Sequence, residues 1–302
     1  MDTNNQNAVK GVGDWFRWHL SKFVVAPSFL MILFFVYGFI LWTGYMSFTK
    51  SKMLPIYNFE GILQYVKLWK QPTWLASFEN LFVFGSLFIA VAIAFGCILA
   101  IFLDQKIRGE GALRTIYLYP MAISFIVTGT AWKWILNPGS GIEKLVQSFG
   151  FENFEFDWLV DPDYAVYTLV IAAVWQASGF VMALFLAALR GVDGEIIKAA
   201  QLDGASISRI YMVIILPTLR PVFLSSFVIL THMAIKSFDL VVALTGGGPG
   251  NASWLPANFM FEMTFRRNQI GQGAASAMIM LATVLAIIVP YLYSELREKK
   301  HG

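Results

Sequence analysis

Apolar positions in this chain come in long unbroken runs rather than at the spacing of an amphipathic surface helix. Six runs, at about residues 24–46, 81–103, 116–136, 165–189, 219–243 and 273–294, reach the length of a membrane crossing, which takes roughly 20 mostly apolar residues. They show none of the alternating polar and apolar segments of an outer-membrane barrel. Because lipid offers backbone groups no hydrogen-bond partner, such runs must be helices. The pattern therefore predicts an all-α, polytopic membrane protein of six transmembrane helices. It has a short N-terminal segment (1–23), one transmembrane domain (24–294) and a basic tail (295–302).

The polar positions fill the intervals. Outer loops fall near 47–80, 137–164 and 244–272, and inner loops near 104–115 and 190–218. Pro55, Pro72, Asn137-Pro138-Gly139 and the run Gly246–Gly250 mark turns among them. A short amphipathic segment, Asp14–Lys22, precedes the first run. Lys10, Arg17 and Lys22 give that run the look of a signal peptide, but it is too long for a signal core and no small-x-small cleavage site follows, so it reads as a retained helix.

Composition agrees: 57% of residues are hydrophobic and 14% charged, far from the roughly 25% charged of soluble domains. Mean hydropathy is +0.63. A formal charge of +3 is too small to suggest nucleic acid as a partner. Its distribution says more. With the N-terminus inside, the inner segments carry thirteen Lys and Arg residues against seven outside, which predicts that both termini are cytoplasmic. The lone Cys97 has no partner for an internal disulfide. No G-x-x-x-x-G-K-[ST] loop and no metal-ligand spacing occurs, so the sequence suggests no enzyme, no cofactor and no metal of its own. Energy for uphill transport would then come from another chain or from an ion gradient.

The second inner loop bears on that choice. Residues 190–218 are too long and too patterned for a simple hairpin. Asp193 is placed to cap a helix over 193–202, with Glu195 in its first turn near the positive end of the helix dipole. Gly204 ends it, and Ser206 caps a second helix that Pro217 and Pro221 break or kink on the way into the fifth run. Ala199 and Ala200 keep one surface small enough for another protein's backbone to approach. The pattern alone fits an amphipathic helix lying on lipid headgroups as well.

Ala199-Ala200-Gln201-Leu202-Asp203-Gly204-Ala205, followed by Ile214-Ile215-Leu216-Pro217, resembles the coupling-loop signature of binding-protein-dependent ABC import permeases. The likeness runs through Gly109–Arg114, Trp132-Lys133-Trp134 and Ser237–Pro249, and is to carbohydrate permeases of the maltose type. Tyr117–Ala122, Phe156–Pro162 and Tyr291–Arg297 resemble the glucose permease subunits of pseudomonad-type importers. The resemblance implies a bacterial inner-membrane subunit and four kinds of partner beyond the bilayer: a second permease, an ATPase dimer holding ATP and Mg, a periplasmic sugar-binding protein and a sugar, glucose or a related hexose. It also implies that Glu195, Lys198, Ala199, Ala200, Asp203, Gly204, Ala205, Leu216 and Pro217 engage the ATPase. Lys198 departs from the family, which carries a glutamate there; Glu195, one turn earlier on the same face, is the nearby carboxylate.

A sugar path needs hydrogen-bonding groups and aromatic faces at membrane depth. In the fifth run His232, Lys236 and Asp239, spaced i, i+4 and i+7, are expected on one helical face beside Ser237. They read either as a cavity wall or as an internal Lys236–Asp239 pair that fixes packing. In the fourth run Gln176 and Phe180 offer an amide and a ring, and the resemblance places Phe180 at an aromatic sugar contact; packing between helices is the other reading. The competing functions are an α-glucoside or other disaccharide permease, a proton-coupled secondary transporter using His232, Lys236 and Asp239 as a relay, and a scaffold without a pathway.

Overall fold

A computed structural model describes residues 20, 22, 24–105 and 107–301, the last of them, 294–301, in backbone alone. Apart from Leu20 and Lys22, the expected Asp14–Lys22 segment lies outside the described residues. The described residues are mostly helical and form no strand, with one isolated bridge between Thr49 and Phe59.

The helices run in order α1 (Val24–Ser47), α2 (Leu63–Trp69), α3 (Pro72–Asp104), α4 (Glu110–Leu118), α5 (Phe125–Ile135), α6 (Gly141–Ser148), α7 (Ala165–Leu189), α8 (Gly194–Leu202), α9 (Ile207–Thr218), α10 (Arg220–Ile235), α11 (Asp239–Leu244), α12 (Pro256–Phe261) and α13 (Ile270–His301). Four of them, α1, α3, α7 and α13, are each long and apolar enough to cross a membrane; counting two bent pairs as one span each makes six. The expected crossings are all present, but two of them are not straight.

The third, expected as one helix over 116–136, is broken. Its first half ends in a 3-10 turn at Tyr119–Ala122, and α5 sets off at 102° to it. Pro120 removes a backbone donor at the turn, and Ser124 caps α5 by accepting the Val127 N–H. The fifth, expected over 219–243, bends by 64° between α9 and α10 beside Pro217 and Pro221. It then stops at Lys236 and resumes as α11 from Asp239. The second crossing starts earlier than its apolar run, because α3 begins at Pro72, a residue suited to the first position of a helix. The last runs on as backbone helix to His301, within the expected tail.

Burial ranks the spans. The most apolar window of α7 is 67% buried and that of α1 is 0% buried, so α7 is the axis of the bundle and α1 is a surface helix. Phe84 and Phe88 of α3 meet Met182, Phe185 and Leu186 of α7 in the main core. The close fit has a visible cause at Gly179, where an added Cβ would stand 1.7 Å from the Tyr117 carbonyl oxygen; small residues let membrane helices approach this way. A second cluster of Leu68, Trp74, Phe259 and Met263 ties α2 and the start of α3 to α12.

Candidate functional site

The segment between α7 and α10 folds as a two-helix hairpin, and local chemistry shapes it. Asp193 accepts the Glu195 N–H at 2.9 Å and Ser206 accepts the Arg209 N–H at 3.4 Å, so each helix has a side-chain cap. Gly204 joins them at φ +78°, a conformation that costs a side chain with a Cβ. The hairpin's tip is bare. Leu202 is 89% exposed, and Ile196 and Ile207 are exposed beside it.

The residues expected to engage a partner divide on inspection. Glu195, Lys198, Ala199, Asp203, Gly204 and Pro217 are exposed, Ala205 and Leu216 are half-buried, and Ala200 is turned inward into the chain's own core. The small surface expected of two alanines is thus Ala199 alone, because helical geometry turns neighbouring side chains to different faces. Glu195 is also not a free carboxylate: Lys198 Nζ lies 3.5 Å from its Oε1.

At membrane depth the expected face of His232, Lys236 and Asp239 is not continuous. Lys236 is the cap that ends α10, Ser237 and Phe238 are non-helical, and Asp239 begins α11. The three remain exposed around the break, with Lys236 at the negative end of one helix dipole and Asp239 at the positive end of the next. Among the described residues Lys236 and Asp239 form no ion pair, and no side-chain hydrogen bond joins the three into a relay. Ser237 is buried and donates to the Met233 carbonyl at 2.8 Å.

Gln176 is 3% exposed and donates its Nε2 to the Ile123 carbonyl at 2.7 Å. Ile123 sits at the break of the third crossing, so the amide meets a carbonyl the broken helix leaves without a partner. Its Oε1 is buried without a partner. Phe180, one turn along, is half-buried. No hydrogen bond, ion pair or ring contact among the described residues connects Gln176 or Phe180 to His232, Lys236 or Asp239.

A cavity of about 840 Å³ opens between α3, α4, α5 and α7, but its wall is of another kind. Trp132, Trp158, Tyr167 and Trp175 dominate it, and the polar candidates of the fifth crossing lie elsewhere. Sequence reading missed five further polar residues at or beside helix ends. Tyr211 donates to Asp104 Oδ2 at 3.1 Å and accepts from Gln105 Nε2 at 3.0 Å, while Arg190 pairs with Glu110 at 2.5 Å. Only their place at the borders of inner loops marks them in the sequence.

Comparison with known proteins gives a consistent picture. The family model described as the inner membrane component of binding-protein-dependent transport systems matches residues 92–298. A probable ABC transporter permease of Pyrococcus horikoshii is 38% identical over 88% of this chain and 92% of its own length. The xylose/arabinose import permease of Haloferax volcanii is 35% identical over 89% and 86%. The trehalose/maltose transport permease of Thermococcus litoralis is 28% identical over 90% and 92%. Among solved structures, a bacterial ABC transporter that imports alginate superposes with a TM-score of 0.81 at 17% identity, over 95% of this chain and 98% of the other, a likeness of fold.

Proposed function

The chain belongs to the family of inner membrane components of binding-protein-dependent transport systems, and from that premise we propose that it is the permease subunit of an ATP-driven carbohydrate importer, with glucose or a related hexose as cargo. The observation that carries this reading is the exposed, doubly capped hairpin of α8 and α9, which holds Glu195, Lys198, Ala199, Asp203 and Gly204 at its surface and continues into the bent fifth crossing. Its partners are a second permease, a pair of ATPase subunits that bind ATP and Mg, and a periplasmic sugar-binding protein. Relatives named for pentoses and for trehalose and maltose support a carbohydrate cargo. The choice of a hexose rests on the likeness of short stretches such as Tyr117–Ala122 to glucose permeases.

In this reading the chain works by alternating access. Sugar delivered to the outer loops enters a space bordered by His232, Lys236 and Asp239 and by the ring of Phe180. The exposed polar groups at the α10–α11 break supply hydrogen bonds to hydroxyls, and the second permease completes the wall. Gln176 and Ser237 hold neighbouring backbone in place beside that space. Closure of the ATPase pair moves the hairpin, and the hairpin moves the spans. Net import then requires only that the sugar be held differently in the two states, with no covalent step.

The test is ATP hydrolysis by the complete complex in liposomes over a panel of mono- and disaccharides. Hexoses carried by the binding protein are expected to stimulate it. A strict disaccharide preference would replace the cargo and leave the architecture. Uphill uptake by this chain without a nucleotide-hydrolysing companion, lost when the proton gradient collapses, would overturn the reading in favour of a secondary transporter.

A further inference from the structure

The hairpin segment 190–218 connects covalently to α7 and α10 only, yet both of its flanks are fastened to another loop. At its start Arg190, which caps the end of α7, pairs with Glu110, the first residue of α4. Farther along, Tyr211 of α9 donates its hydroxyl to Asp104, the last residue of α3, and receives a hydrogen bond from Gln105. Among the described residues, these are the side-chain hydrogen bonds and ion pairs that leave the segment for another element. They land on the two ends of one short connection, the stretch between α3 and α4.

We propose that Tyr211 and Arg190 are positioning residues that couple the hairpin to the second and third crossings, in addition to the covalent path into the fourth and fifth. The inference rests on the permease reading above. Its physical basis is the lever beyond the clamp. α4 is a short helix, held at its start by Arg190 and packed at its end against Gly179 of α7, and the crossing turns by 102° just beyond it, at the break at Ile123–Ser124. Gln176 holds the Ile123 carbonyl at that break. A displacement of the hairpin therefore pulls on the inner half of a crossing that is built in two pieces, and on the inner end of α3, which packs along α7. The Arg190 and Glu110 side chains are 44% and 30% exposed, and an ion pair so open to water adds little to folding stability. Its removal should leave the fold intact.

The experiment uses the complete complex, with both permeases, the ATPase pair and the binding protein, in liposomes, and reads sugar moved per ATP hydrolysed. The variant Tyr211→Phe combined with Glu110→Gln is expected to assemble, to keep the melting midpoint and the copurified ATPase of the parent, and to lose at least about five-fold in sugar per ATP, the lower end of ordinary coupling between sites. Exchanging the charges, Glu110→Arg with Arg190→Glu, is expected to recover part of the loss seen with Glu110→Gln alone. An unchanged ratio in the combined variant overturns the proposal. Loss of the ATPase from the purified complex also overturns it, since the residues would then build the docking site rather than transmit its motion. If the parent complex shows no sugar-stimulated hydrolysis at all, the permease reading has failed, and the clamp with it.

Discussion

At Gln176 a side chain in one helix completes the backbone of another. The sequence marks it as an amide inside an apolar run, but its partner, the Ile123 carbonyl, lies 53 residues away and becomes visible only in three dimensions. Gln176→Leu should leave that carbonyl unpaired at a cost of about 1–3 kcal/mol, read as a lower melting midpoint of the complex with sugar preference unchanged; an altered preference would put the free Oε1 on the cargo instead. Gly179 is constrained from the same side. Gly179→Ala places a methyl against the Tyr117 carbonyl, and overpacking of this kind costs typically about 1–3 kcal/mol. A thermal melt of the purified complex should show the loss, and a wild-type midpoint would mean that the turn at Tyr119–Ala122 shifts freely. Nothing local in the sequence announces this contact, since a glycine in a membrane helix is common.

Among elements, the hairpin was the most legible because its determinants are local. Asp193, Gly204 and Ser206 each act on neighbours within a few residues, and all three take the roles their chemistry predicts. The breaks were less legible. Pro120 and Ser124 carry the usual signals of a helix stop and restart, hidden inside an otherwise apolar run. The stop at Lys236–Phe238 contains neither proline nor glycine, and it follows from packing, since α11 lies against α5 with Gly129 close beneath Ala243. A helical count across 232–239 therefore gave a face that the chain does not present. Gly204 offers the element-scale test. Gly204→Val forces a β-branched residue to φ +78°, at a strain of about 1–3 kcal/mol, and should cut sugar-stimulated ATP hydrolysis while the chain still inserts. Gly204→Asn should retain more of it, because asparagine tolerates the left-handed region. Equal activity of the two variants would mean that the turn's conformation does not matter.

For the whole molecule, hydrophobic thickness made the class of fold readable from the sequence, since a run of about 20 apolar residues has few alternatives in lipid. What covers α1 was not readable, because its exposed faces suit lipid and protein equally well. The lysines and arginines predict an orientation, and it can be measured directly. Cys97 is buried, so the parent should give little background with a membrane-impermeant maleimide. Leu202→Cys is expected to react only when the cytoplasmic face is open to the reagent, and Glu152→Cys only from the outside. Labelling of both positions from one side would refute the assigned topology.

The nearly naked leucine at the hairpin's end has a consequence for the cell as well as for transport. With Ile196 and Ile207 it leaves apolar surface bare, in the predicted orientation on the side of the membrane where proteolysis and chaperone surveillance act on newly made chains. A copy synthesised in excess of the proposed ATPase partner should therefore be short-lived, and pulse-chase measurement with and without that subunit would show it. In the proposed importer, the exposed leucine would thereby tie the lifetime of this chain to the supply of its ATPase partner.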